Sequence, residues 1–342
     1  MTTPQIEPYQ PFPGFADFAG HDFELAAFDR YAQQLSEAKG QATPDRLAAA
    51  VERATKAAAV DTGAIEGLFD VDRGFTMTVA TEAAAWESIH LQKGEQVARA
   101  IQDALRGYDY VLDLATGSRP ITESWLRELH AELCRSQGTY KVITSQGAQT
   151  QPLPVGQYKQ FPNNPLNLAT GTIHAYAAPA DTPAEMARLV GELGTQEFAR
   201  AHPAVQAAYA HYAFVCVHPF ADGNGRVARA LASVYLYRTP GVPLVIFADQ
   251  KAEYLDSLEL ADAGQPRAFV RFIADRAIDT VRMVVSDLDN AVPDDERIDH
   301  IERLRRSLVG RGGLSHDRVD ALGIQLLGAL QDALVRANAA NP

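Results

Sequence analysis

The chain has 342 residues, of which 46% are hydrophobic and 22% charged, enough for two or three domains or one large one with trimmings. Its 31 basic and 43 acidic residues give a net charge of −12, which argues against nucleic acid or an anionic membrane as a partner. Cys134 and Cys216 are the only cysteines, too few for a disulfide framework, and no stretch approaches the about 18 apolar residues of a membrane span. Residues 1–10 lack the basic and apolar regions of a signal peptide, so a reduced, cytoplasmic setting is expected.

In chain order, residues 1–20 read as an irregular arm carrying Tyr9, Phe12, Phe15 and Phe18. Helical spacing runs from about Glu24 to Lys56, with a helix start at Thr43-Pro44-Asp45. Residues 61–67 read as a short helical segment closed by Gly67. Further helices are predicted over 81–90, 94–116 and 121–134, the last with an N-cap just before Glu123. Between 136 and 180 Gly, Gln, Pro and Asn dominate, and the region reads as functional loop with one short hairpin, its best strand being Thr172–Tyr176. Helices resume at 183–199, 203–216, 225–238, 251–262 and 266–288, and the tail 294–342 is helical in pattern. The expected fold class is all-α with one small β-hairpin. The expected divisions are 1–93, 94–288 and a C-terminal helical appendage, 289–342.

The stretch from His218 to Arg229 reads HPFADGNGRVAR, between two apolar helices. Asp222-Gly223-Asn224-Gly225 therefore forms the turn into a helix N-terminus. Glycines there let backbone N–H groups converge as an anion nest, and the helix dipole adds positive potential. Arg226 and Arg229, three apart, bring guanidinium forks suited to a polyphosphate. Asp222 can hold Mg²⁺ against phosphates, and His218 can take a proton from a hydroxyl. Taken singly, a Gly-Asn-Gly turn is usually only a turn, and a lone His is usually structural. Eight fixed residue types at about 5% usage each would meet by accident about once in 10⁸ chains of this length.

These residues resemble the signature HPFx(D/E)GNGRxxR of the Fic family, and every position agrees. The resemblance extends over roughly residues 60–285. It implies an all-α Fic core that transfers AMP from ATP to a Ser, Thr or Tyr hydroxyl of a target protein. It further implies His218 as general base, Asp222 as the ligand of Mg²⁺ (or Mn²⁺), and backbone amides of Gly223 and Gly225 on the phosphates. Asn224 would hold the α-phosphate, Arg226 the β-phosphate and Arg229 the γ-phosphate.

Thr62, Glu66 and Gly67 fit the family's inhibitory pattern, (S/T)xxxE(G/N). Thr62 and Glu66 are four apart and share a helix face. The resemblance implies that Glu66 pairs with Arg229 and keeps ATP in an unproductive pose. It also places the family's target-clamping flap at about 171–178, with Ile173 and His174 as contacts, and the adenine pocket at Tyr254 and Asp262. Lys159 stands where the family usually has Arg, and Asp262 where Asn is common. A homodimer is a further family-based expectation. The same site leaves open removal of AMP, transfer of another phosphate-linked group, or a non-catalytic nucleotide sensor.

Overall fold

The computed structural model describes residues 5–117, 119–144, 147–165 and 172–290. In chain order these form β1 (Gln5–Glu7), α1 (Phe15–Ala19), α2 (Ala26–Gln41), α3 (Pro44–Ile65), α4 (Arg73–Thr81), α5 (Ala83–Glu87), α6 (Ile89–Lys93), α7 (Glu95–Thr116) and α8 (Glu123–Leu133). There follow β2 (Thr139–Thr144), β3 (Gly147–Pro152), β4 (Thr172–His174), α9 (Thr182–Leu193), α10 (Gln196–Arg200), α11 (Pro203–Val217), α12 (Asn224–Arg238), α13 (Lys251–Asp262) and α14 (Pro266–Asn290). The fold is all-α with small strand pairs, as the sequence predicts. The predicted appendage lies outside the described residues but for the end of α14.

Local chemistry explains the main boundaries. Thr43 caps α3 by accepting from the Arg46 N–H at 3.4 Å, with Pro44 as first helical residue. Thr122 caps α8 in the same way, accepting from the Trp125 N–H at 3.1 Å. The segment 61–67 is not a separate helix, because the alanine-rich run before it has no breaker; it forms the last turn of α3, with Glu66 as C-cap. The stretch read as one helix over 81–90 is instead broken at Glu82 and Ser88, taking in the end of α4, all of α5 and the start of α6.

The core is built around α11 and α12. Helix α11 is apolar all round and nearly every side chain of it is buried, as expected for a helix enclosed by others. Helix α12 is buried at nearly every position up to Tyr237 and packs on α11, α7, α8 and α3. Its polar Ser233 is satisfied at both ends of its reach: the hydroxyl donates to the Arg229 carbonyl at 3.0 Å and accepts the Leu244 N–H at 3.0 Å. The connection between α11 and α12 is the 218–223 loop, so its two flanks are fixed by the best-buried helices of the molecule.

The N-terminal arm packs on this core. Phe12, Phe15 and Phe18 are each 2% exposed and meet Tyr209 of α11 edge-on at centroid distances of 6.3, 5.1 and 5.2 Å. Two strand pairs accompany the helices where the sequence predicts one hairpin. β2 and β3 form an antiparallel hairpin, Thr139 opposite Pro152 and Thr144 opposite Gly147. β4 pairs in parallel with β1, Ile173 opposite Ile6. Phe15→Ala should cost about 3–5 kcal/mol of stability by the usual toll of emptying an aromatic site in a core. Chemical denaturation checks this, and a loss below about 0.5 kcal/mol would show that the arm is not part of the fold.

Candidate active site

The loop is held from beneath. Gly223 sits at φ +81°, in left-handed backbone, and a Cβ there would collide with Sγ of Cys134. Asn224 opens α12 and is buried, its amide committed to the loop: Oδ1 accepts the Phe220 N–H at 2.9 Å and Nδ2 donates to the Phe220 carbonyl at 2.8 Å. The Asn224 side chain thus braces the turn, and its backbone N–H lies in the first turn of the helix. Phe220 is fully buried and stacks on His130 at 3.9 Å.

His130 is a member of this site that no motif announces. Its Nδ1 accepts the Gly156 N–H at 2.8 Å, so its Nε2–H is the donor to the Asp222 carbonyl at 3.0 Å. Burial pushes its pKa down to about 4, so it is neutral. Gln137 is another. Its amide N–H donates to Asp222 Oδ2 at 2.7 Å, while its Oε1 accepts from Arg226 at 2.5 Å. Arg226 also donates to the Leu133 carbonyl at 3.2 Å.

Lys159 ties down the other side. Its backbone N–H donates to the Pro219 carbonyl at 2.8 Å, and its ammonium donates to Asn163 Oδ1 at 2.8 Å and the Val217 carbonyl at 3.3 Å. Asn163 then donates to the carbonyls of His218 at 3.2 Å and Phe220 at 2.7 Å. This clamp serves carbonyls rather than an anion, so a single ammonium suffices and the planar fork of Arg is not required. Burial pulls the Lys159 pKa down to about 7.

His218 ends α11 at φ +52° and stacks on Tyr176 at 3.9 Å, nearly parallel. Its Nδ1 faces the Val215 carbonyl at 3.3 Å, an acceptor only, so Nδ1 carries the proton and Nε2 keeps a lone pair. Burial, and after it the Lys159 ammonium, push the imidazole pKa down to about 3. It is therefore a neutral base at physiological pH.

Arg229 is 2% exposed and its partners come from the end of α3. Its Nε donates to Thr62 Oγ1 at 2.9 Å, and a terminal nitrogen donates to the Thr62 carbonyl at 2.9 Å and to Glu66 Oε1 at 2.7 Å. Burial alone would raise the Glu66 carboxyl, but the Arg229 and Arg226 charges overcome it and hold the pKa below its ordinary value. Glu66 also lies against the first turn of α12, since a Cβ on Gly225 would collide with its Oε1. A carboxylate of the same chain thus lies against the start of α12 beside Gly225. A quarter of the Glu66 side chain, 24%, still faces open space.

That space is a cavity of about 790 Å³. Glu66, His218 and Gly225 line it together with Tyr254, Leu258 and Asp262. The Tyr254 hydroxyl meets His211 Nε2 at 3.0 Å. His174 of β4 lines the cavity too, and its neighbour Ile173 is half-buried. Thr62 and Gly67 flank Glu66, Gly67 following it at φ +73°.

Residues 120–236 match the Fic/DOC family. The chain carries a Fic domain. Protein adenylyltransferases Fic from Culex quinquefasciatus and Drosophila persimilis are each 39% identical to it over 123 residues. The match spans 35% of this chain and about a quarter of each relative, 25% and 24%. Among solved structures, a Fic domain-containing signaling protein from Bacteroides thetaiotaomicron superposes with a TM-score of 0.64 at 22% identity, over 78% of this chain and 98% of that one. A Fic-1 fragment from C. elegans gives 0.59 at 20% identity, over 76% and 71%. These likenesses establish the Fic fold beyond the 218–229 loop.

The buried neutral His130 sets a pH dependence. The unfolded chain binds a proton near the ordinary pKa of 6.5, the folded chain only near 4, so stability falls as pH drops between those values. The full contribution is about 3 kcal/mol. His130→Gln, compared with the unaltered chain by urea denaturation between pH 7 and 4.5, should flatten that loss; an unchanged slope would contradict the assignment.

Proposed function

We propose that the chain is a protein adenylyltransferase held inactive by its own Glu66. The observation that carries this reading is the position of that carboxylate, on the first turn of α12 and on Arg229, beside His218 in one cavity. A carboxylate there stands in for the anionic end of a nucleoside triphosphate, and the cavity's volume suits such a ligand. The relatives matched over 123 residues are named protein adenylyltransferases, and the segment that matches the Fic/DOC family, 120–236, contains the whole loop.

In this reading the backbone N–H groups of Gly223, Asn224 and Gly225 cradle the phosphates, and Arg226 and Arg229 grip the outer ones. Tyr254 and Asp262 take the base end of the cavity. Nε2 of His218 accepts the proton of a Ser, Thr or Tyr hydroxyl. That oxygen bonds to the α-phosphorus as the bond to the β-phosphate oxygen breaks, and pyrophosphate leaves. Asp222 is the carboxylate available to Mg²⁺. A single carboxylate fits that ion, which normally binds through one or two of them plus substrate phosphates. When bound, it would neutralise phosphate charge.

Glu66 opposes this chemistry by lying against Gly225 at the start of α12 and by holding Arg229. Its place in the same cavity as His218 also supports a second reaction, alignment of a water that hydrolyses AMP from a modified protein. Intact-mass spectrometry after incubation with ATP and Mg²⁺ tests the proposal. Glu66→Gly should gain whole AMP units, on itself or on proteins of an added lysate, where the unaltered chain gains none. Adding His218→Ala should cut the rate about 10²–10⁴-fold, the usual worth of a general base. No AMP on any protein with Glu66→Gly would refute the reading.

A further inference from the structure

The parallel pairing of β1 with β4 has a consequence for the target. β4 borders the cavity that holds His218, and a strand edge beside such a site is where an extended peptide adds through main-chain hydrogen bonds. In this structure that edge belongs to the chain's own N-terminus. Gln5, Ile6 and Glu7 stand opposite Thr172, Ile173 and His174. The pairing continues with the Ala175 N–H donating to the Glu7 carbonyl at 3.1 Å. The Glu7 carboxylate lies 3.8 Å from His174 Nδ1 and lines the cavity together with His218.

The segment is delivered there by firm anchors just downstream. The Tyr9 hydroxyl donates to Glu185 at 3.0 Å, Arg188 donates to the Phe12 carbonyl at 3.0 Å, and its guanidinium lies 3.4 Å over the Phe12 ring. By contrast β1 has little apolar hold of its own, with Ile6 64% exposed. A weakly packed strand between a firm anchor and a functional edge can be displaced without unfolding the core.

We infer that Gln5–Glu7 is a pseudosubstrate strand, occupying the edge of β4 that a target's extended segment takes, with Glu7 where the target's side chain enters the cavity. The partner that fits is an extended segment running parallel to β4 with a hydroxyl-bearing residue in the place of Glu7. Glu7 itself has no hydroxyl and cannot be modified in this way. The inference rests on the adenylyltransferase reading for its chemistry, while the occupancy of the edge stands on geometry alone. A hydroxyl placed at position 7 would bond through its oxygen to the α-phosphorus of ATP, losing its proton to His218 Nε2 as pyrophosphate departs.

Two measurements test it. The first needs no transfer. Hydrogen exchange over residues 172–176 is compared between the full chain and a chain lacking residues 1–8, which keeps the anchors from Tyr9 onward. Exchange there should quicken by about tenfold or more while α11 and α12 stay protected, and unchanged exchange would show that β1 does not hold this edge. The second uses Glu66→Gly carrying Glu7→Ser or Glu7→Tyr, with ATP and Mg²⁺, followed by peptide mapping. AMP should appear at position 7 in at least one variant, at a rate independent of protein concentration. AMP elsewhere on the chain but never at position 7 would overturn the pseudosubstrate assignment and leave the adenylyltransferase reading intact. AMP nowhere, on the chain or in lysate, would overturn that reading and with it the pseudosubstrate role, leaving hydrogen exchange to decide edge occupancy.

Discussion

A buried arginine needs a partner, and most of the site's arrangement follows from how Arg229 finds one. Its guanidinium lies in the core between α12 and α3, where an unpaired charge would cost several kcal/mol. Thr62 supplies a hydroxyl and a carbonyl, and Glu66 supplies the countercharge. Both come from the last turn of α3, so this one pairing fixes that helix end against the start of α12. On the proposed reading, a ligand whose phosphates reach Arg229 has to compete with a carboxylate already in place.

The nest itself depends on ties that come from outside the signature. His130 and Gln137 hold Asp222 from the α8 side, and Lys159 and Asn163 hold the carbonyls of residues 217, 218 and 220 from the other. Within the loop the Gly223 N–H donates to Asp222 Oδ1 at 2.6 Å, Gly225 at the start of α12 lines the cavity, and His218 keeps its proton on Nδ1. A preorganised site of this kind does not have to reorder its dipoles when charge develops in it. The hydrogen bonds beneath the loop therefore belong to its electrostatics as much as to its stability.

Much of this was legible in the sequence. The glycine spacing, the two arginines and the helix boundaries at Thr43 and Thr122 are local signals, and the structure reproduces them. Thr62 and Glu66 were readable as one helix face, though not as the end of a 22-residue helix. The supporting residues were not readable. His130, Gln137 and Asn163 are ordinary polar types with no periodic signature, and only the fold brings them to the loop. Lys159 was legible only as a departure from the family's usual Arg, because a sequence does not say what a cation faces. For Asn224 the sequence does not say that the side chain braces the turn, which follows from its bonds to Phe220. The three-residue β1 sits among prolines and carries no alternation long enough to announce a strand.

The central claim is that Glu66 withholds Arg229 from the outermost phosphate of the nucleotide. The most direct measurement is calorimetric affinity for ATP and for ADP, each with Mg²⁺, on the unaltered chain and on Glu66→Gly. The account predicts nearly equal affinities in the unaltered chain, where the extra phosphate finds Arg229 engaged. In Glu66→Gly, ATP should bind about tenfold or more tightly than ADP, the worth of a charge-assisted hydrogen bond. The same ratio of affinities in both proteins would contradict it.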